Sequence, residues 1–246
     1  MSPYIELGFL EYAMQTIIVT DLTHFSNKQI VCTAGIDLAT NQCIRPMPYL
    51  NAENCKALNI LPGAILQGQF TPLATLTGPH QEDMSYEQLT FVGPCNSADF
   101  KLALESSLYN SIGDGFEIEL AQSQKHIPIG HPVLRSIITI HVDPNEIEVV
   151  SDAYKPGKIK LNFLDYSGHS YRYIGITDLG FHDYAEKHQA ANDLRKLNSF
   201  VKSQSEIYLR IGLSRPWSNG KTEGYWIQVN GLYTFPRYLP EIRNYL

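Results

Sequence analysis

Both tryptophans of the chain lie in one stretch near its C-terminal end, IYLRIGLSRPWSNGKTEGYWIQVNGLYTFP, residues 207–236. Apolar and polar residues alternate along it as in two paired β-strands, with Asn219-Gly220 in the loop between them. One face of this hairpin would carry side chains that can bind a flat or anionic ligand: Tyr208, Arg210, Trp226, Gln228 and Asn230. Arg215 and Trp217 follow in the loop.

These residue types suit the recognition of an unpaired base. A tryptophan ring stacks on any base, for about 1–3 kcal/mol. The planar guanidinium of arginine binds a phosphate or a guanine edge, and the amides of Gln and Asn offer a donor and an acceptor together. The same set would also suit a free nucleotide. Alternatively, a helix or the other domain covers this face, and the residues serve ordinary packing.

Arg45, in the segment CIRPMP, is the only arginine of the first hundred residues. It fits a phosphate contact, a contact that locks two domains together, or an ion pair with a nearby carboxylate such as Asp37. Asp21, His24 and Asp178 are the candidate acids and bases of an enzyme. No acid and base among them share a spacing that predicts a catalytic pair, so the sequence predicts no catalytic residues.

Metal ions and cofactors have no recognisable site in the sequence. The four cysteines form no CxxC pair, and the eight histidines do not cluster. No segment approaches the roughly 20 apolar residues that span a bilayer, and the N-terminus lacks the basic region of a secretory signal. We therefore expect no metal, no cofactor and no membrane partner, and a cytoplasmic protein with reduced cysteines.

The elements that must position these residues are mostly short strands. Alternating patterns predict strands in both halves of the chain, with one amphipathic helix in each half, at residues 97–111 and 182–203. Ser97 is the expected cap of the first helix. The predicted fold class is mostly β with one helix per half, a β-rich α+β arrangement of two tandem OB-like small β-barrels. A PUA-like pseudo-barrel would fit nearly as well.

A polar segment with two prolines near residue 150 predicts the domain boundary. We expect an N-terminal extension at residues 1–13, a first OB-like domain at 14–148 and a second at 149–246. Residues 1–150 hold 6 basic and 16 acidic side chains, a formal charge of −10, whereas residues 151–246 hold 13 and 9, a charge of +4. The basic half could contact phosphates while the acidic half discourages indiscriminate binding to DNA. The alternative is chance variation of surface charge.

Four segments in order resemble the dual-OB-domain proteins of bacteria, from about Met14 to the C-terminus: TIIVTDLTHFSNKQIVCTAGIDL, CIRPMPYL, YLRIGLSRPW and GYWIQVNGLYTFPRYL. That family is linked to gene neighbourhoods of prokaryotic conflict and phage defence. The resemblance implies two tandem OB-like domains that bind RNA, single-stranded DNA or a nucleotide, with no agreed catalytic residues. It supports contacts from matching positions: Arg45, Arg210, Arg215, Gln228 and Asn230.

We expect a non-catalytic module that binds single-stranded nucleic acid or a nucleotide in a bacterial defence system. A protein partner from the same operon would fit this role. The expected binding residues are Arg45, Tyr208, Arg210, Arg215, Trp217, Trp226, Gln228 and Asn230. One alternative is a scaffold that docks a partner effector, because Tyr, Trp and Arg also dominate protein interfaces. An enzyme acting on RNA or nucleotides is the least favoured function.

Overall fold

The first half of the chain folds around one six-stranded sheet. The computed structural model describes residues 13–76, 78–155 and 157–243, so the expected extension at 1–13 lies outside the described residues except for its last position. The elements of this half, in chain order, are β1 (Gln15–His24), β2 (Ile30–Asp37), β3 (Gln42–Met47), β4 (Leu50–Asn51), α1 (Ala52–Ala57), β5 (Ala64–Pro72), β6 (Asp83–Pro94) and α2 (Ser97–Glu105).

Five strands of this sheet close into a barrel. Strand β1 pairs with both β2 and β5, β5 pairs with β6, and β6 runs parallel to β3, which pairs with β2. Alternate residues of β5 point inwards, such as Leu66 and Phe70, because successive side chains of a strand face opposite sides. This arrangement is the small Greek-key barrel of an OB fold.

The second half of the chain forms a larger sheet. Its elements in chain order are β7 (Leu108–Tyr109), α3 (Ile112–Gly115), β8 (His126–Pro128), β9 (Ile137–Val142), a 3₁₀ helix (Pro144–Glu146), β10 (Ile147–Ser151), β11 (Ile159–Leu164), β12 (Ser170–Ile176), α4 (Leu179–Ala190), α5 (Leu194–Lys202), β13 (Glu206–Leu213), β14 (Trp217–Ser218) and β15 (Glu223–Phe235).

This sheet also closes on itself. Strands β10, β11 and β12 form a meander, β12 runs parallel to β15, and β15 pairs with β13. Strand β9 pairs with β13 while β10 pairs with β11, so the two strands and the short 3₁₀ helix between them act as one bent strand. The mostly β fold class with two barrels is therefore confirmed. The expected boundary at 148/149 falls inside β10.

The helices differ in detail from the prediction. Helix α2 is capped by Asn96, whose side chain accepts a hydrogen bond from the backbone amide of Asp99, rather than by Ser97. The helix expected over 182–203 is two helices, α4 and α5, because Asn192 between them has a φ of 55°. Asparagine accepts this left-handed conformation more readily than most residues. Helices α1 and α3 are too short to show a helical period in the sequence.

An apolar interface joins the two barrels. Ile18, Phe100 and Leu104 of the first half lie in one buried cluster with Tyr233 and Phe235 of the second. The hydroxyl of Tyr233 donates to the backbone carbonyl of Thr20, in the first barrel. Among the described residues, no helix is both long and apolar enough to cross a membrane.

A buried ion pair lies inside this interface. Arg210 of β13 is 0% exposed, and its Nη2 and Nε lie 2.8 and 2.9 Å from Oδ2 of Asp21 in β1. Its Nη1 donates to the hydroxyls of Ser107 and Thr139. A buried charge is strongly destabilising once its partner is removed. This pair therefore favours one relative orientation of the two barrels.

Candidate functional site

A cleft of about 740 Å³ lies between the two barrels. The first barrel contributes residues from the end of β1, the loop after it, β2, β3 and the loop before β6. The second barrel contributes β11, β12, β15 and the loop after β13. In both barrels the lining includes the second and third strands and the loop after the fourth strand. The first barrel adds the loop after its first strand, whereas the second barrel adds its fifth strand, β15, and Lys125 from the segment before β8. Both barrels therefore direct the same surface, the usual ligand face of an OB fold, into one cleft.

Positive side chains line this cleft. The four cations are Arg45, Lys125, Lys160 and Arg215. No aspartate or glutamate of the part of the chain that the structure describes is among the lining residues. Asp83 and Asp152 do lie behind the wall, at 2.7 Å from Nη2 of Arg215 and 3.8 Å from Nζ of Lys160. The cleft thus presents cations to a ligand, while the carboxylates that balance two of them are not among its lining residues.

Two lysines share one side of the cleft. Burial lowers the pKa of the Lys125 ammonium, and the nearby charge of Lys160 lowers it further. The Nζ of Lys125 lies 5.9 Å from the ring centroid of Tyr173. An anion bound near the two ammonium groups would relieve their mutual repulsion.

Arg45 lies at the inner end of the cleft and is 4% exposed. Its Nε is 2.5 Å from Oδ1 of Asp83, and its Nη2 lies 3.8 Å from Glu82. That Nη2 is buried and has no hydrogen-bond partner. The expected ion pair with a carboxylate is present, but the partners are Asp83 and Glu82 rather than Asp37. Arg45 therefore contributes positive charge to the wall of the cleft, while its Nη2 is itself shielded from solvent.

Aromatic rings form the outer part of the cleft. Trp217 is 56% exposed, and its ring centroid lies 5.6 Å from that of Trp226, with the rings at 72°. The Nε1 of Trp226 donates to the backbone carbonyl of Trp217 at 3.0 Å. On the first barrel, Phe25 packs on Tyr49 at 4.7 Å, and Arg215 donates to the Tyr49 hydroxyl across the cleft.

Tyr173 reaches the cleft through a β-bulge. Leu161 pairs with Ile174 and Phe163 with Tyr171, so β12 has one residue more than β11 between these pairs. Tyr173 has a φ of 55°, and its amide donates to Oδ1 of Asn162 at 2.7 Å. This left-handed conformation costs free energy in any residue other than glycine. Bulges re-aim side chains near binding sites, and here the bulge turns an aromatic ring towards the ligand face.

The two predicted amides have different surroundings. Oδ1 of Asn230 accepts a hydrogen bond from the Thr177 hydroxyl at 2.9 Å, and Asn230 is buried at the edge of the cleft. Gln228 is half-buried and lines the cleft, and its amide makes no hydrogen bond to any residue that the structure describes. Of these two amides, Gln228 therefore has both its donor and its acceptor unoccupied by any residue that the structure describes.

The sequence profile of the dual OB-containing domain matches residues 16–232. The chain belongs to this family. No curated protein matches the sequence of this dual OB protein. Among solved structures, it is similar to a chain in the structure of a Replication Protein A heterotrimer bound to ssDNA, with 11% identity and a TM-score of 0.38. The match covers 94% of the dual OB protein and 52% of that chain, so the dual OB protein spans about half its length.

The structure corrects the expected roles of Tyr208 and Arg210 in the dual OB protein. Both point to the outer face of β13, as the alternation predicts, but the first barrel covers that part of the face. Tyr208 donates to Glu105 and Glu206, and Arg210 pairs with Asp21. Neither residue lines the cleft. The outer face of this hairpin is thus divided: Tyr208 and Arg210 lie in the interface between the barrels, whereas Trp226, Gln228 and Asn230 line the cleft. This division depends on packing between segments that are distant in the sequence.

Six of the eight predicted binding residues line the cleft: Arg45, Arg215, Trp217, Trp226, Gln228 and Asn230. The sequence prediction missed other lining residues: His80, Lys125, Lys160, Tyr173 and Gly175. Lys160 and Tyr173 belong to a hairpin that the alternation does predict, so its polar face could have been added to the site. Lys125 and His80 lie in irregular segments whose positions no local pattern indicates.

The candidate acids and bases do not form a catalytic group. Asp21 is held by Arg210, and Asp178 caps α4 and lies 2.8 Å from Nη2 of Arg243. His24 lies at the edge of the cleft, with its ring 4.6 Å from that of His182, and burial lowers its pKa. These contacts hold structure together and leave no acid and base facing a shared substrate position.

One group of side chains has the spacing of metal ligands. His182, Asp183 and Glu186 of α4 place their ligand atoms within 4.8 Å of one another. Glu186 also contacts the ammonium group of Lys158 at 3.3 Å. None of these four residues lines the cleft, and the ammonium already balances part of the acidic charge.

Proposed function

We propose that the dual OB protein binds single-stranded nucleic acid, or a nucleotide with the same chemistry, in the cleft between its barrels. The observation that carries the proposal is that the ligand faces of both OB folds open into one cleft lined by cations and aromatic rings. Single-strand binding by OB folds uses this combination, a positive groove for the backbone and rings on which bases stack.

The phosphates of the ligand would lie against the cations. Lys125 and Lys160 are close enough to affect each other, and Arg45 adds a third positive charge to the lining. Bases would stack on Trp217, Trp226 or Tyr173. A stacked base is tolerated in any sequence because every base has a π-face. The site therefore fits an unpaired strand better than a duplex, in which the faces of the bases are already stacked.

Replacing Trp217 with alanine should weaken binding without changing the fold. Its ring is largely exposed, and the contact it makes with Trp226 through its backbone carbonyl persists in the variant. Loss of one stacking platform costs about 1–3 kcal/mol, which corresponds to about a 5- to 150-fold loss of affinity. Fluorescence anisotropy of a labelled single-stranded oligonucleotide at low salt measures this loss.

The matched control is Tyr166→Ala, because Tyr166 is 58% exposed and does not line the cleft. We expect this variant to bind as the unmodified protein does. Equal losses of affinity in Trp217→Ala and Tyr166→Ala would show that binding does not depend on the cleft. Absence of binding by the unmodified protein to any single strand, at tens of micromolar, would reject the proposed function.

The conformation of Tyr173 gives a second prediction. Asparagine accepts a positive φ more readily than tyrosine, so Tyr173→Asn should leave the free energy of unfolding unchanged or raise it by about 0.5–1 kcal/mol. The same change removes an aromatic ring from the cleft and should lower affinity by about tenfold. Thermal unfolding and anisotropy measure the two effects. A less stable variant with unchanged affinity would show that Tyr173 serves packing alone.

The finer expectations stay predictions. A role in bacterial defence, RNA as ligand, and a protein partner from the same operon depend on the family resemblance. A non-catalytic role is consistent with the held positions of Asp21 and Asp178. The four cysteines are free thiols, and the cytoplasmic location remains an expectation. We place the boundary between the two binding units after α2 and before β7, and limited proteolysis with a first cut between these two elements would support it.

A further inference from the structure

A row of four paired residues, two of them glycines, crosses the second barrel and includes part of the cleft lining. Lys160 pairs with Gly175, Gly175 with Gln228, and Gln228 with Gly212, so four neighbouring strands carry one row. Lys160, Gly175 and Gln228 line the cleft. Gln228 is therefore flanked by Gly175 and Gly212 in this row. Each glycine leaves a gap unless a side chain from elsewhere fills it.

The two gaps differ. A Cβ at Gly212 would lie 2.1 Å from Nδ2 of Asn230, so the Asn230 side chain already fills that gap. A Cβ at Gly175 would meet only Nζ of Lys160, at 3.8 Å. The space above Gly175 is therefore open, and it lies between the free amide of Gln228 and the ammonium of Lys160.

Aromatic rings flank this open position. Gly175 and Gln228 pair in parallel strands. Tyr173 lies two residues before Gly175, and Trp226 lies two residues before Gln228. Both line the cleft. A flat ring that enters the gap would meet an aromatic neighbour on one side, a donor–acceptor amide at its edge and a cation nearby.

We propose that the gap above Gly175 is a slot for one unpaired nucleobase, whose hydrogen-bonding edge faces the Gln228 amide. The inference rests on the proposed function and adds that binding depends on the base as well as on the phosphates. Each base offers an edge with a donor and an acceptor that an amide can match. Lys160 would neutralise the phosphate attached to the same nucleotide.

Two main ligands and three variants test the slot, and homopolymers of A, C and T serve as further ligands for Gln228→Leu. The ligands are a single-stranded DNA of about 12 nucleotides, within the range of OB sites, and an oligonucleotide of the same length with abasic residues. The variants are Gly175→Val, Gln228→Leu and the control Gly130→Val. A Cβ at Gly130 also meets no neighbour, and Gly130 lies outside the cleft. Valine at 175 suits a β-strand, so thermal unfolding should show the same or a higher melting temperature.

We expect the unmodified protein to bind the base-bearing strand at least about tenfold more tightly than the abasic strand. Gly175→Val should remove most of this difference and leave abasic binding unchanged, whereas Gly130→Val should change neither. Gln228→Leu should reduce the differences in affinity among homopolymers of A, C and T, because a leucine side chain cannot match a base edge. If the Gly175→Val protein does not fold, Gly175→Ala and Gln228→Leu replace it in the comparison of base-bearing and abasic strands.

The outcomes separate the slot from the wider proposal. Base-bearing and abasic strands of equal affinity, or a Gly175→Val protein that keeps the full preference for bases, would reject the slot and leave the cleft as a phosphate-binding surface. An unmodified protein that binds neither strand would reject the proposed function itself.

Discussion

Replacing Arg210 with methionine lowers the free energy of unfolding by about 3–5 kcal/mol. The guanidinium is fully buried and makes the only ion pair that Asp21 has among the described residues. Its removal leaves the buried Asp21 carboxylate without a counter-charge, with only the Thr20 hydroxyl donating to it. The hydroxyls of Ser107 and Thr139 lose the guanidinium as a donor and keep only the hydrogen bond between them. Chemical denaturation followed by circular dichroism measures the change. A loss below about 1 kcal/mol would contradict the role given to this pair.

A double variant separates the lost charge from the lost packing. Replacing Asp21 with leucine in the Arg210→Met protein removes the unpaired carboxylate. Apolar pairs of similar volume often match or exceed the stability of a buried ion pair, so the double variant should recover most of the loss. If it is no more stable than Arg210→Met, the destabilisation comes from shape rather than from charge.

Removal of three cleft cations gives the largest expected effect on binding. We expect the variant with glutamine at Lys125, Lys160 and Arg215 to bind single-stranded DNA about 100-fold more weakly at low salt. Each lost phosphate contact reduces the slope of log affinity against log salt concentration by about 0.7 for a single strand, so the slope should fall by about 2. Anisotropy titrations over a range of salt concentrations measure both quantities.

A charge-matched control tests whether position or net charge matters. Glutamine at Lys187, Lys196 and Lys202 removes the same number of charges from α4 and α5, and none of these residues lines the cleft. This control should keep nearly the full affinity and salt slope. An equal loss in both triple variants would show that the protein attracts DNA through its overall charge, which contradicts a defined cleft.

The sequence predicted the β-rich fold well because alternation in strands and the loop at Asn219-Gly220 are local signals. It also predicted part of the cleft lining, since Trp226, Gln228 and Asn230 alternate with core residues on one strand. What it could not predict depends on contacts between distant segments. Nothing local to Arg210 indicates that Asp21, 189 positions earlier, covers it.

The same limit explains the residues that the prediction missed. The bulge at Tyr173 is accompanied by a hydrogen bond to the Asn162 side chain on the neighbouring strand, and the position at Gly175 is open because no neighbouring side chain except the end of Lys160 comes within 4 Å of it. Strand pairing across the barrel creates both features. A glycine in an alternating segment shows where a side chain is missing, but the surrounding strands decide whether the gap is filled, as at Gly212, or open.

The emission of the two tryptophans during titration with an unlabelled single strand tests the central claim most directly. The chain has only Trp217 and Trp226, and both line the cleft. We predict a saturable change in emission, with a midpoint that agrees with anisotropy and shifts to higher concentration as salt is added. A strand that binds by anisotropy while the tryptophan emission stays constant would show that the nucleic acid lies elsewhere and would contradict the cleft as its site.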